Sequence, residues 1–219
     1  MAGSDRYVHA LRYPWLTRFY DRVVQATLPE RALKALLCRE VLDGLHPGGR
    51  LLDLGCGTGT LTVMLKQRAP EAEVVGFDGD REVLELARVK AEQAGVEVGW
   101  LHGDAGALPF GPGQLDRVAS SLMFHHLSSE TKRAALRAVR RSLAPGGRLH
   151  VLDWGRPHDV LMRLAFLPVQ LLDGFATTSD NVAGRLVPML EKAGFADVQE
   201  TARRRTVFGT LSLYRGTAP

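Results

Sequence analysis

From Gly49 onward, short apolar runs alternate with longer amphipathic stretches, and this alternation restricts the chain to a narrow set of folds. The runs predict strands at Arg50 to Leu54, Glu73 to Phe77, Val96 to Leu101, Asp116 to Ser121 and Arg148 to Asp153, with helices between them. The clearest helix has Asp80 as its N-cap, Val83, Leu84, Ala87 and Ala94 as its apolar stripe, and Gly95 as its stop. Strand and helix in strict alternation argue for βαβ units and a parallel sheet covered on both faces. Near the end, Val182 to Ala193 reads as a helix stopped by Gly194. Ala196 to Arg203 and Thr206 to Tyr214 then read as two strands joined across a short basic turn, an antiparallel hairpin closing the sheet edge.

Before Gly49 the period is helical throughout. Trp15, Leu16, Phe19, Tyr20, Val23, Val24 and Leu28 mark one helix. Thr27-Leu28-Pro29-Glu30 reads as a capping box opening a second, through Leu33, Leu36, Leu37 and Val41 to about Gly44. At 219 residues, with no linker or low-complexity tract, the chain is expected to be one domain. Its parts would be an N-terminal helical cap (1–46), a sheet core (47–156), a covering segment (157–180) and the last helix with its hairpin (181–219).

Two cysteines, Cys38 and Cys56, are far too few for a disulfide scaffold and suit a reducing cytoplasm. The first residues lack the apolar core of a signal peptide. Val160 to Leu172, the most apolar stretch, is interrupted by Arg163 and Pro168, so no membrane span is expected. The net charge of +4 permits nucleic acid as a partner without demanding it, since the basic residues are mostly dispersed and their tight groups, such as Arg140-Arg141 and Arg203-Arg204-Arg205, are short.

The chemistry is concentrated at Leu51-Leu52-Asp53-Leu54-Gly55-Cys56-Gly57-Thr58-Gly59-Thr60-Leu61, where a buried strand runs through three alternate glycines directly into a helix. Glycine lets the backbone approach a ligand closely, and the helix N-terminus offers unpaired N–H groups. The dinucleotide fingerprint would need glycine at position 60, which is threonine. Glycines at 55, 57 and 59 preceded by Asp53 resemble instead motif I of the class I S-adenosylmethionine-dependent methyltransferases. The resemblance continues at Val74-Val75-Gly76-Phe77-Asp78, at His102-Gly103-Asp104-Ala105, at Leu115 to Leu127, at Leu143 to Leu149 and at Leu190 to Phe195. It covers residues 47 to 215 and is nearest to the small-molecule group that includes quinone-biosynthesis C-methyltransferases and natural-product O- and N-methyltransferases. Phe19-Tyr20-Asp21-Arg22 is similar to their Tyr-Asp entry, although the rest of the quinone enzymes' N-terminal signature is missing.

The resemblance implies a Rossmann-like, doubly wound seven-stranded α/β fold with S-adenosylmethionine as cofactor and S-adenosylhomocysteine as product. It implies that Asp53 anchors the methionine ammonium, that Gly55, Cys56 and Gly57 wrap the methionine end, and that Asp78 with Gly79 takes the ribose hydroxyls. Asp104 and Ala105 would meet the adenine, with Tyr20 and Ser120 completing the cofactor site. It also implies His125 and Asp153, with His126 beside them, as the groups that orient or deprotonate the acceptor. His125 is favoured over His126 as the one facing the methyl group. Adjacent histidines seldom chelate one ion, and no metal is expected.

The acceptor's nucleophilic atom, O, N or C, is left open. Val160, Leu161, Met162, Leu164, Phe166, Leu167, Leu171 and Leu172 leave a helix almost without a polar face. Set opposite Trp15, Phe19 and Tyr20, it predicts a closed pocket for a small, largely apolar or aromatic acceptor; a core helix is the plainer reading of the same residues. Three alternatives stay open: a nucleic-acid methyltransferase, a nicotinamide-dependent oxidoreductase, and a non-catalytic protein that only binds the cofactor. Nucleic acid is not expected as a partner, and the protein is expected to be a monomer or homodimer.

Overall fold

The computed structural model describes residues 30–219. The expected first helix, with Trp15, Phe19 and Tyr20, lies outside the described residues. The described chain begins with α1 (Glu30–Leu42), followed by β1 (Arg50–Leu54), α2 (Thr60–Arg68), β2 (Glu73–Asp78), α3 (Arg81–Gln93), β3 (Gly99–His102) and β4 (Leu115–Ser121). A 3-10 turn at Phe124–His126 leads into α4 (Ser129–Ser142) and β5 (Leu143–Trp154). Four short helices follow, α5 (Val160–Ala165), α6 (Leu167–Asp173), α7 (Phe175–Val182) and α8 (Leu186–Lys192), and then β6 (Ala196–Thr206) and β7 (Gly209–Thr217).

The strands form one sheet in the order β3-β2-β1-β4-β5-β7-β6. β1 to β5 run parallel, while β7 is antiparallel to both β5 and β6. Alternate residues of β1 face opposite layers. Leu52 and Leu54 pack with Leu136 and Val139 of α4 and Leu186 and Leu190 of α8. Leu51 packs with Leu37 and Val41 of α1, Leu61 and Leu65 of α2, and Phe166 and Val169 of the covering segment. This is the doubly wound fold expected from the sequence. The strand order reverses between β1 and β4, which opens a crevice at their carboxyl ends, where open α/β sheets bind ligands.

Several boundaries differ from expectation, each for a local reason. β3 starts at Gly99 rather than Val96, because Val96 N–H bonds to Ala91 O at 3.1 Å and closes the end of α3. The hairpin turns at Val207-Phe208 instead of at the arginines: Thr206 Oγ1 donates to Gly209 O at 2.9 Å and accepts from Phe208 N at 3.2 Å. Arg203, Arg204 and Arg205 therefore stand within the outermost strand, where charge discourages pairing with another sheet edge. The expected helix from Val182 is split, because Gly184 takes φ +68° and separates α7 from α8.

The expected apolar helix from Val160 to Leu172 is likewise two helices, broken at Phe166 ahead of Pro168. Its faces are also unequal. Met162, Phe166 and Val169 are buried, whereas Val160, Leu161, Leu164 and Leu171 are 55–75% exposed and form no closed pocket among the described residues. The opposite wall of the expected pocket, Trp15, Phe19 and Tyr20, lies outside the described residues.

Candidate active site

β1 delivers Asp53 and the glycine loop to the crevice. Gly55, Gly57 and Gly59 all have positive φ (70°, 52° and 74°), and Gly59 opens α2 without a side-chain cap. A Cβ on Gly55 would lie 2.3 Å from Met123 Cγ, so the loop is pressed against the segment leaving β4. A Cβ on Gly57 would meet nothing within 4 Å, so the backbone there faces open space. Asp78, at the end of β2, accepts from Gly57 N at 2.8 Å through Oδ2 and from Asp80 N at 3.0 Å through Oδ1. It sets the shape of the loop and keeps lone pairs for a ligand. Lys90 of α3 holds the loop's other side, donating to Thr58 Oγ1 and Thr60 Oγ1 at 2.8 and 2.7 Å.

Asp53 is fully buried. Thr62 Oγ1 donates to its Oδ2 at 2.6 Å, while its Oδ1 has no hydrogen-bond partner among the described residues. Burial pushes this carboxyl up to about 6, against the opposing pull of Thr62 and Lys34. A cation brought to that oxygen would lower it again. Cys56 is buried beside it, and burial first, then the charges of Asp53 and Asp78, push its thiol far up, which disfavours the thiolate. Gly79 is exposed, with its carbonyl 3.0 Å from His102 Nε2. Asp104 caps its own turn, accepting from Gly106 N at 2.8 Å, and Ala105 lies half-buried next to it. Ser120 is buried within β4 with its Oγ unpartnered. Tyr20 lies outside the described residues.

The second cluster stands at the ends of β4 and β5. Leu122, directly after β4, has φ +57°, a left-handed conformation unusual for a branched side chain, and its N–H is held by Leu152 O at 2.8 Å. This sharp exit turns the chain into the 3-10 turn carrying His125. Asp153, with no exposed surface, receives His125 Nδ1 at 2.7 Å and Trp154 N at 2.6 Å on Oδ1, and His125 N at 3.2 Å on Oδ2. Burial alone would depress His125, but the charge and hydrogen bond of Asp153, with Asp173 beyond, hold it above its ordinary value. Burial alone would likewise raise Asp153, but the His125 charge and hydrogen bond keep it low.

Asp173, at the end of α6, was not singled out in the sequence. Its carboxylate lies 3.7 Å from His125 Nε2 and 4.0 Å from His126 Nδ1. These three residues bring one potential ligand atom each within 4.8 Å of one another. Their spacing exceeds the roughly 3.3 Å between donors that share a tetrahedral ion bound at ~2.0 Å; burial, and then the charge of His125, push His126 down to about 3, so Asp173 faces it as a neutral ring. The His126 ring lies against His125 with centroids 3.9 Å apart and planes tilted by 41°, but its side chain is 47% exposed. Behind the pair stand Trp154, edge-on to His125 at 6.4 Å, and Phe166, 5.1 Å from Trp154.

The covering segment is bolted to this cluster by a lysine that the sequence reading also passed over. Lys132 of α4, wholly buried, donates to Asn181 Oδ1 at 2.9 Å and to Thr177 O, and lies 3.4 Å from Asp180 Oδ2. Asp180 is further held by Ser129 and by Arg185 at 2.7 Å, and Asn181 Nδ2 donates to Trp154 O at 2.9 Å. The available signal was Lys132's place on the apolar stripe of α4, three and four residues before Ala135 and Leu136.

Residues 51–147 match the family described as methyltransferase domain. An uncharacterized methyltransferase of Synechocystis is 30% identical over 194 residues, 86% of this chain and 86% of that protein. The chain belongs to the class I S-adenosylmethionine-dependent methyltransferases. A demethylmenaquinone methyltransferase of Thermus thermophilus is 50% identical over 108 residues, 49% of this chain and 48% of that protein, so the match spans about half the length of that relative. Among solved structures, the S-adenosylmethionine-dependent methyltransferase SibL in its apo form has the same fold, with a TM-score of 0.73 at 24% identity over 100% of this chain and 64% of that one.

The family's cofactor is S-adenosylmethionine, and two features of the crevice fit it. The buried, unpartnered Asp53 Oδ1 suits an ammonium group, and the open side of Gly57 gives room beside the Asp78 carboxylate.

Proposed function

We propose that this methyltransferase acts on a small, largely apolar or aromatic acceptor that carries a hydroxyl group, with His125 as the proton acceptor. The observation that carries this reading is the buried His125–Asp153 pair, 2.7 Å apart at the carboxyl ends of adjacent strands. Asp153 fixes the proton on Nδ1 and thereby directs the Nε2 lone pair toward the acceptor. Trp154 and Phe166, buried behind the pair, make the backing of this side of the site apolar. Asp53, Asp78 and the glycine loop bind and orient the cofactor, whose sulfonium supplies an electrophilic methyl group.

The residues of the chain then have two tasks. One is to hold the acceptor atom at near-attack distance. The other is to remove the hydroxyl proton: it passes from the acceptor oxygen to His125 Nε2, and Asp153 and Asp173 stabilise the imidazolium that forms. A phenolate is a stronger nucleophile at its oxygen and at the neighbouring ring carbons, so the same dyad serves O-methylation and C-methylation. A quinone-type acceptor methylated at carbon accords with the names of the Thermus relative and of the ubiquinone/menaquinone C-methyltransferase of Shewanella, 34% identical over 128 residues. The test is methyl-labelled cofactor offered to hydroquinones and hydroxylated aromatics in parallel with tRNA and duplex DNA. Label is expected in the aromatic compounds. Label in nucleic acid with none in the aromatics would overturn the proposal.

A further inference from the structure

The six large apolar side chains Val160, Leu161, Leu164, Leu171, Phe175 and Val207 are each 51–75% exposed. Five of them belong to the three consecutive short helices α5, α6 and α7, which pack against one another, and α5 also packs on β7. The β6–β7 turn adds Val207, because Gly209 lies so close to Phe166 that a Cβ there would be 3.1 Å from its ring, and Asp159, the cap of α5, is ion-paired to Arg205. The opposite face of the same helices sends Met162, Phe166 and Val169 into the core, and Lys132 pins α7 to α4. The exposed apolar surface is therefore mounted on rigid, high-density packing.

Its charge is one-sided. Asp159 is paired with Arg205, and Glu200 with Arg203. Arg156 and Arg204, both exposed, have no ion-pair partner among the described residues, so positive charge is in surplus there. An apolar patch on short helices, rimmed by cations, matches a surface with anionic headgroups over an apolar interior.

We propose that α5, α6, the start of α7 and the β6–β7 turn form a docking surface for a lipid bilayer bearing anionic headgroups. The inference rests on the proposed apolar acceptor only for its purpose, which is access to a molecule dissolved in the bilayer. Binding itself depends on the patch alone. No described helix is long and apolar enough to cross a membrane, so contact would be peripheral.

The full chain is sedimented with vesicles of phosphatidylglycerol and phosphatidylcholine in equal parts, and with vesicles of phosphatidylcholine alone. The wild type is expected to bind the mixed vesicles and to release at high salt, and the double variant Leu161→Asp with Leu171→Asp to bind at least about tenfold less. That variant should keep its turnover of a water-soluble hydroxylated aromatic and its melting temperature, because both side chains are exposed and touch neither the cofactor loop nor His125. The proposal is overturned if the wild type binds neither vesicle, or if the variant binds as well as the wild type. It is also overturned if light scattering shows a dimer that the substitutions dissociate without any vesicle binding, which would make the patch a surface for a second copy. Vesicle binding without methylation of any aromatic would leave this inference standing while removing the proposed function.

Discussion

The ends of β1 and β2 and the ends of β4 and β5 lie side by side in one sheet but are built by different means. On the cofactor side the shaping groups are backbone: three glycines with positive φ, the amides of Gly57 and Asp80 on Asp78, and an uncapped helix start. On the acceptor side they are buried, charged side chains joined across long stretches of sequence: His125 with Asp153, His125 with Asp173, and Lys132 with Asp180. A backbone cradle tolerates changes in its neighbours as long as the turn persists. A buried charge network fails when one member is removed, because the remaining partner keeps its desolvation cost and loses its compensation.

The contrast is most sharply tested at His125. Replacing it by alanine is expected to lower kcat by roughly 10² to 10⁴ while leaving cofactor affinity nearly unchanged. In the proposed mechanism the neutral imidazole is the active form, and Asp153 holds His125 above its ordinary 6.5, so wild-type kcat should rise with pH through a midpoint above that value. The variant should lose this rise. Equal kcat in the two proteins between about pH 6 and 9 would leave positioning as the whole mechanism and erase the distinction drawn for the acceptor side.

A second test takes stability as its readout. Lys132→Met should cost about 3 kcal/mol in urea unfolding, since it strips a buried donor from Thr177, Asn181 and Asp180. It should also lower kcat by loosening the segment that carries Asp173. A loss of only a few tenths of a kcal/mol would mean that Arg185 and Ser129 suffice to hold Asp180, and the network is less cooperative than described. The smallest expected effect is on the cofactor side. Asp78→Ala should weaken S-adenosylmethionine by about ten- to a hundredfold, or roughly 1.5 to 3 kcal/mol, by calorimetry. Turnover at saturating cofactor should fall little. A collapse of kcat there would show that the two halves are coupled through the contact between Gly55 and Met123.

The same contrast explains what was legible in the sequence. The glycine loop, the Asp80 cap and the strand-end carboxylates are local patterns, set by φ angles and hydrogen bonds within a few residues, and they stand where the sequence placed them. His125 and Asp153, 28 residues apart, could be paired because both follow adjacent strands of a recognised order. Asp173 could not be paired, because no local rule directs the end of α6 back over the crevice. The covering segment was hard for a related reason: a stretch apolar all round has no preferred face, so the exposure of Leu161 and Leu171 is set by tertiary packing alone. The hairpin slipped toward Val207 because Thr206 and Gly209 close the turn more effectively than arginines do.

β5, which carries Asp153, is paired on one side with β4 and on the other with β7, and Ala218 adds two further bonds to Gly146 and Gly147 at 2.7 and 2.8 Å. β7 follows β5 only after four helices and another strand. A chain emerging from the ribosome therefore completes its glycine loop early, while the strand bearing Asp153 waits with one edge bare. A chain stopped before residue 209 would shape the glycine loop but leave open the edge of β5 beside Asp153.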